Sequence, residues 1–132
     1  MAFSKLLLLH VAMVAAMCGT SLAQDATCPT RYSDEQISII GHSAYIGVAG
    51  DYCPNLRRNA QPLLSFLATA WGKFPSTEFE CNTWRNTYEQ SEGRAALQII
   101  TNGLKGYCET SIRLYGPNGT LLKNALTFST PP

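Results

Sequence analysis

SDEQISIIGHSAYIGVAG, residues 33–50, reads as a helix with its own start signal. Ser33 stands three residues before Gln36, the capping-box arrangement in which each side chain satisfies the other residue's free backbone N–H. Ile37, Ile40, Ala44 and Val48 then recur at the spacing of one helix face. Gly50 is a natural stop, because a chain leaving a helix favours a left-handed residue there. The expectation is a first helix over 34–49.

Moving toward the C-terminus, residues 51–55 form a connection. Asn59 is placed to cap a second helix, with Pro62 in its first turn, where a missing N–H costs nothing. Leu63, Phe66, Leu67, Ala70 and Trp71 make its apolar stripe, and Gly72 closes it. Thr77 and Glu80 repeat the capping-box spacing, after which Cys81, Trp84 and Tyr88 share a face. Gly93 is a candidate break. Ala96, Ile99, Ile100 and Leu104 resume helical spacing, with Gly103 or Gly106 as the end. Residues 107–126 admit two readings. One continues a helix through Cys108, Ile112 and Tyr115. The other makes a C-terminal hairpin turning at Gly116-Pro117-Asn118-Gly119 and returning along Thr120–Leu122. The helix is favoured over 107–115, because a lone hairpin is weak without a sheet to join. Residues 127–132 read as a loose tail.

Moving toward the N-terminus, residues 1–23 have the layout of a signal peptide: Lys5, an apolar run from Leu6 to Ala16, and small residues at Ser21 and Ala23. The apolar run is shorter than the roughly 20 residues of a membrane span. Residues 24–132 are then one exported domain, periplasmic or extracellular, with no membrane span after cleavage. The whole chain carries a net charge of +1, and the leader removes Lys5, so the exported part is neutral. That gives no electrostatic footprint for nucleic acid.

Cys28, Cys53, Cys81 and Cys108 remain after the leader is removed. In an exported chain they imply two disulfides that support a small core. No C-x-x-C spacing suggests a metal site. Cys28 and Cys53 flank the first helix, which is about 24 Å long at 1.5 Å per residue. A disulfide needs Cα atoms about 4.4–6.8 Å apart, so these two are not partners. In an up-and-down bundle, Cys81 returns to the Cys28 end and Cys108 to the Cys53 end. The expected pairs are Cys28–Cys81 and Cys53–Cys108.

Catalytic signals are sparse. His42 is the one histidine outside the leader, near Ser38 and Tyr45, and its available acids are Glu35 and Asp51. A single histidine does not make a paired acid–base site. Glu78 with Glu80, and Glu89 with Glu92, are neighbours on helix surfaces rather than carboxylates facing each other across a cleft, and they read as solvated. There is no G-x-S-x-G and no phosphate-binding glycine loop. No cofactor or metal is expected. Asn118-Gly119-Thr120 is a glycosylation sequon in a turn. The aromatic residues exceed what so small a core needs. Tyr45, Tyr52, Trp71, Trp84 and Tyr88 are the candidate binding patch.

Ala44-Tyr45-Ile46-Gly47-Val48-Ala49-Gly50-Asp51-Tyr52-Cys53-Pro54 is similar to the Tyr-Ile-x-Gly-Val … Cys-x-Pro stretch of small helical periplasmic proteins. These include the immunity proteins of type VI amidase effectors. Here Gly47 follows Ile46 directly, one residue earlier than in that pattern. The resemblance implies a helical, disulfide-bonded periplasmic protein that binds another protein and catalyses nothing. Residues and resemblance together lead to a small, mainly α, disulfide-stapled bundle. Its expected function is non-enzymatic binding of a protein partner, immunity- or inhibitor-like. The alternatives are a carrier of a small hydrophobic ligand and a small secreted hydrolase using His42.

Overall fold

The computed structural model describes residues 28–129. The chain divides into Met1–Thr30 and Arg31–Pro132, and every helix and strand described lies in the second unit. The expected signal peptide, its cleavage point and the last residues of the expected tail lie outside the described residues. The fold is mainly helical: α1 (Asp34–Tyr52), β1 (Leu56–Arg58), α2 (Ala60–Trp71), a 3₁₀ turn (Ser76–Glu80), α3 (Asn82–Tyr115) and β2 (Leu126–Phe128).

The first helix starts as its sequence dictates. The Ser33 hydroxyl accepts from the Gln36 N–H at 3.2 Å, and the Gln36 side chain accepts from the Ser33 N–H at 3.0 Å. Burial of α1 is not confined to one face. Ile39, Ile40, Ser43, Ala44, Ile46, Val48 and Ala49 are all buried, so this helix runs through the middle of the unit. Ile37, expected on the buried face, is 38% exposed.

Gly50 does not stop the helix. The chain stays helical to Tyr52, and the Cys53 N–H donates to the Ala49 carbonyl. The reason for a glycine here is packing: a Cβ on Gly50 would lie 2.5 Å from Cγ of Arg58. Arg58 lays its aliphatic stem across that notch and reaches Asp51 at 3.1 Å. Both partners are half exposed, so the ion pair itself contributes little.

α2 begins at the Asn59 cap, keeps Pro62 in its first turn and closes at Gly72 with φ 71°. The second capping box does not form. Residues 76–80 make a 3₁₀ turn, and α3 starts behind Cys81 with no side-chain cap. Glu78 is buried rather than solvated, and the Tyr32 hydroxyl donates to its carboxylate. An acid in that position is tolerable only because it is hydrogen-bonded.

α3 is continuous through Gly93 and breaks locally at Gly103 (φ 78°, ψ 155°), a backbone region open to little but glycine. It then resumes to Tyr115, so 107–115 is helical and the alternative hairpin is absent. Its middle is poorly covered. Ala95 is buried there, whereas Ile100, expected on the packed face, is 80% exposed. After the Gly116–Gly119 turn, the N–H groups of Thr120, Leu121 and Leu122 return to the carbonyls of Arg113 and Leu114. These bonds satisfy the open end of α3.

A two-stranded antiparallel sheet takes the place of the expected loose tail. Leu56 pairs with Phe128, Arg57 with Thr127 and Arg58 with Leu126. Ala125 and Leu126 are fully buried, in one core with Ile46, Leu56, Tyr107, Cys108 and Tyr115. Cys53 and Cys108 are bonded, with Cα atoms 5.6 Å apart. Cys28 and Cys81 are each held in a disulfide. Two disulfides in so short a chain fit an oxidising compartment. Among the described residues, no helix is long and apolar enough to cross a membrane.

Candidate functional site

α1 presents Ser38, Gly41, His42 and Tyr45 at helical spacing. Facing them are Ser91, Arg94 and Gln98 from the first half of α3, and Thr110, Leu114 and Tyr115 from beyond its break. Between the two helices lies an open cleft of about 360 Å³. Such a volume is at the small end of the range for ligand sites.

His42 lines this cleft. Its Nδ1 lies 2.6 Å from the Tyr115 hydroxyl, and its ring sits edge-on to that of Tyr115 with Phe66 on another side. Burial lowers the His42 pKa below the usual histidine value. The imidazole is therefore neutral at pH 7, and the phenol is the better donor of the two. We assign the Tyr115 O–H as donor to Nδ1, which leaves the proton on Nε2 as a second donor. Tyr115 is almost wholly buried, and burial holds its hydroxyl protonated well above the usual tyrosine range. Burial likewise raises the pKa of Tyr45. Tyr45 is braced from behind, because its ring lies 5.0 Å from that of Tyr107, whose hydroxyl donates to the Tyr45 main-chain carbonyl at 2.7 Å.

Neither acid available to His42 in the sequence meets it here. Asp51 is engaged by Arg58, and Glu35 is not among the residues lining the cleft. The partner of His42 is a phenol instead of a carboxylate. The arrangement offers donors, two tyrosine rings and a leucine wall. Among the described residues, no group of three His, Cys, Asp or Glu side chains is placed to hold a metal ion.

The five aromatics of the expected patch fall on three separate surfaces. Tyr45 lines the His42 cleft. Trp71, Trp84 and Tyr88 belong to a cluster with Phe74 and Phe79, in which successive rings lie 5.0–6.2 Å apart, edge-on except where Tyr88 stacks on Trp84. Trp84 is buried in it, while Tyr88 and Phe79 border a second cleft lined by Leu63, Leu64 and Leu67. Tyr52 is 65% exposed on a third surface, beside Ala96, Ile100 and Leu104.

Arg94, Ser91, Gln98 and Tyr115 were not expected in a site. Ser91, Arg94 and Gln98 do share a helix face in the sequence, a signal that was readable. Tyr115 meets His42 only through the fold. No protein family matches this chain, and neither does any curated protein or solved structure.

Proposed function

We propose that this is an exported, non-enzymatic binding protein that holds a small, partly apolar molecule in the cleft between α1 and α3. The observation that carries this reading is the convergence of the His42–Tyr115 pair, Tyr45, Leu114 and Arg94 on one concave surface. An apolar-walled cleft with a few convergent polar groups of shifted pKa is the arrangement that binding sites share. The signal-like leader and the disulfides support action outside the cytoplasm. A fluorescent apolar probe, 1-anilinonaphthalene-8-sulfonate, tests it. Native protein should enhance its emission, and Ser38→Trp, which fills the cleft mouth from an exposed position, should abolish the enhancement. No enhancement, or equal enhancement in the variant, removes the reading.

A second reading is binding of a protein partner, as the immunity-type likeness of residues 44–54 implies. It is favoured by the exposed apolar face of Tyr52, Ile100 and Leu104. Exposed apolar surface of this kind marks contact sites. A partner captured from the exported fraction by native protein should be lost with Ile100→Glu. Capture that survives this change would place the contact elsewhere.

A further inference from the structure

We propose that the molecule held in the His42 cleft is a small organic carboxylate whose anionic end sits on Arg94. This inference rests on the small-ligand reading of the same cleft. Arg94 is the one charged side chain on the cleft wall, and no aspartate or glutamate lines it. At helical spacing its neighbours are Gln90, Ser91, Leu97 and Gln98, none of them acidic. The ion pairs among the described residues join Arg58 to Asp51 and Lys105 to Glu109, and neither involves Arg94. A guanidinium with no carboxylate of its own offers a planar fork that matches a carboxylate.

With Tyr115 donating to Nδ1, His42 keeps an Nε2 donor. Arg94 can only donate. Tyr45 has a phenolic hydroxyl, protonated at neutral pH as tyrosine ordinarily is, and burial raises its pKa further. Ser91 has its own proton committed to the Thr87 carbonyl at 2.9 Å. Arg94 and the Nε2–H of His42 are thus groups on this cleft that can only donate, which suits a ligand group that only accepts. Tyr45, Leu114 and Tyr115 form apolar wall, and a volume of about 360 Å³ takes a single ring with a short chain better than a long acyl tail.

Two probes that differ only at the anionic end separate the possibilities. 4-Phenylbutyrate and 4-phenylbutan-1-ol are titrated into ¹⁵N-labelled native protein and the Arg94→Gln variant, and amide shifts are followed. Both probes should move the amides of Gly41, His42 and Ser91 in native protein, with the carboxylate binding about tenfold more tightly, as one charge-assisted pair supplies. Arg94→Gln should remove that advantage, bringing the carboxylate's affinity down to that of the alcohol in the same variant. Equal affinities for the two probes in native protein overturn the carboxylate assignment and leave the small-ligand reading standing. If neither probe moves those amides, both fall. An advantage for the carboxylate that survives Arg94→Gln also overturns the assignment, because the anion is then held elsewhere.

Discussion

The hydroxyl of Tyr88 occupies the place a side chain would take on Gly47: a Cβ there would lie 2.5 Å from that oxygen. The next ring atom, Cζ, would be 3.7 Å away, an ordinary contact. Gly47→Ala should therefore cost about 1–3 kcal/mol by overpacking. In a Tyr88→Phe background the clashing atom is gone, and the same change should stabilise by up to about 1 kcal/mol through helix propensity. Urea unfolding of the four proteins in the cycle reads both signs. A cost that persists in the phenylalanine background would mean that something other than the hydroxyl fills the notch.

One helix should respond to the same substitution in opposite directions. Gly93 is helical with nothing within 4 Å of its added Cβ, so Gly93→Ala should stabilise by about 0.5–1 kcal/mol. Gly103 also has open space around it, but its φ is 78°. Gly103→Ala should cost about 1–3 kcal/mol from backbone strain alone. Thermal midpoints shifted up for the first variant and down for the second would bear this out; two shifts of the same sign would not.

His42 makes stability depend on pH. Its pKa is lowered in the folded state by burial, so the unfolded chain takes up the proton first as pH falls. The stability it contributes is fully present above about pH 6.5, the unfolded value, and is lost as pH falls toward and through the folded pKa. Urea midpoints should decline between pH 7.5 and pH 5.5, above the range where carboxylates titrate. His42→Gln, which keeps an acceptor for Tyr115, should flatten that decline. An unchanged slope in the variant would assign the titration to another group.

The Cys53–Cys108 bond closes a loop with a sequence separation of 55 residues. Loop-closure entropy then predicts that Cys53→Ser with Cys108→Ser lowers stability by about 4 kcal/mol. Chemical denaturation of the double variant measures this. A loss below about 1 kcal/mol would show that the helices already hold these positions together in the unfolded chain.

Features governed by near neighbours in the chain were legible. The Ser33–Gln36 box, the Asn59 cap and the Gly72 terminus involve residues a few positions apart, and each formed as expected. Cys53–Cys108 was legible because helix length restricts which ends can meet. The helix of 107–115 also formed as expected. What was not legible depends on residues brought in from far along the chain. Gly50 has the chemistry of a terminator and of a notch alike, and only the arrival of Arg58 decides between them. Glu78 was read as solvated because its partner, Tyr32, lies 46 positions away. Helical spacing put Ile100 on an apolar stripe, but spacing does not say whether another element covers that stripe. In the candidate site, His42 and Tyr45 were readable as neighbours on α1. Tyr115, 73 positions from His42, was not.

The pairing of Leu56–Arg58 with Leu126–Phe128 bears on the order of events during synthesis. Leu56 emerges early, yet its ladder partner is among the last residues described. The Asn59 N–H and the Asn55 carbonyl likewise wait for Ala125 and Ser129. Closing such distant ends is the slow part of assembling a small protein. A nascent chain that has delivered α1, α2 and α3 still lacks the strand that buries Leu126 in their core. Completion of the fold is thereby tied to delivery of Leu126–Phe128, and a fragment stopping at Lys123 should be cut by protease where a chain that includes this strand resists.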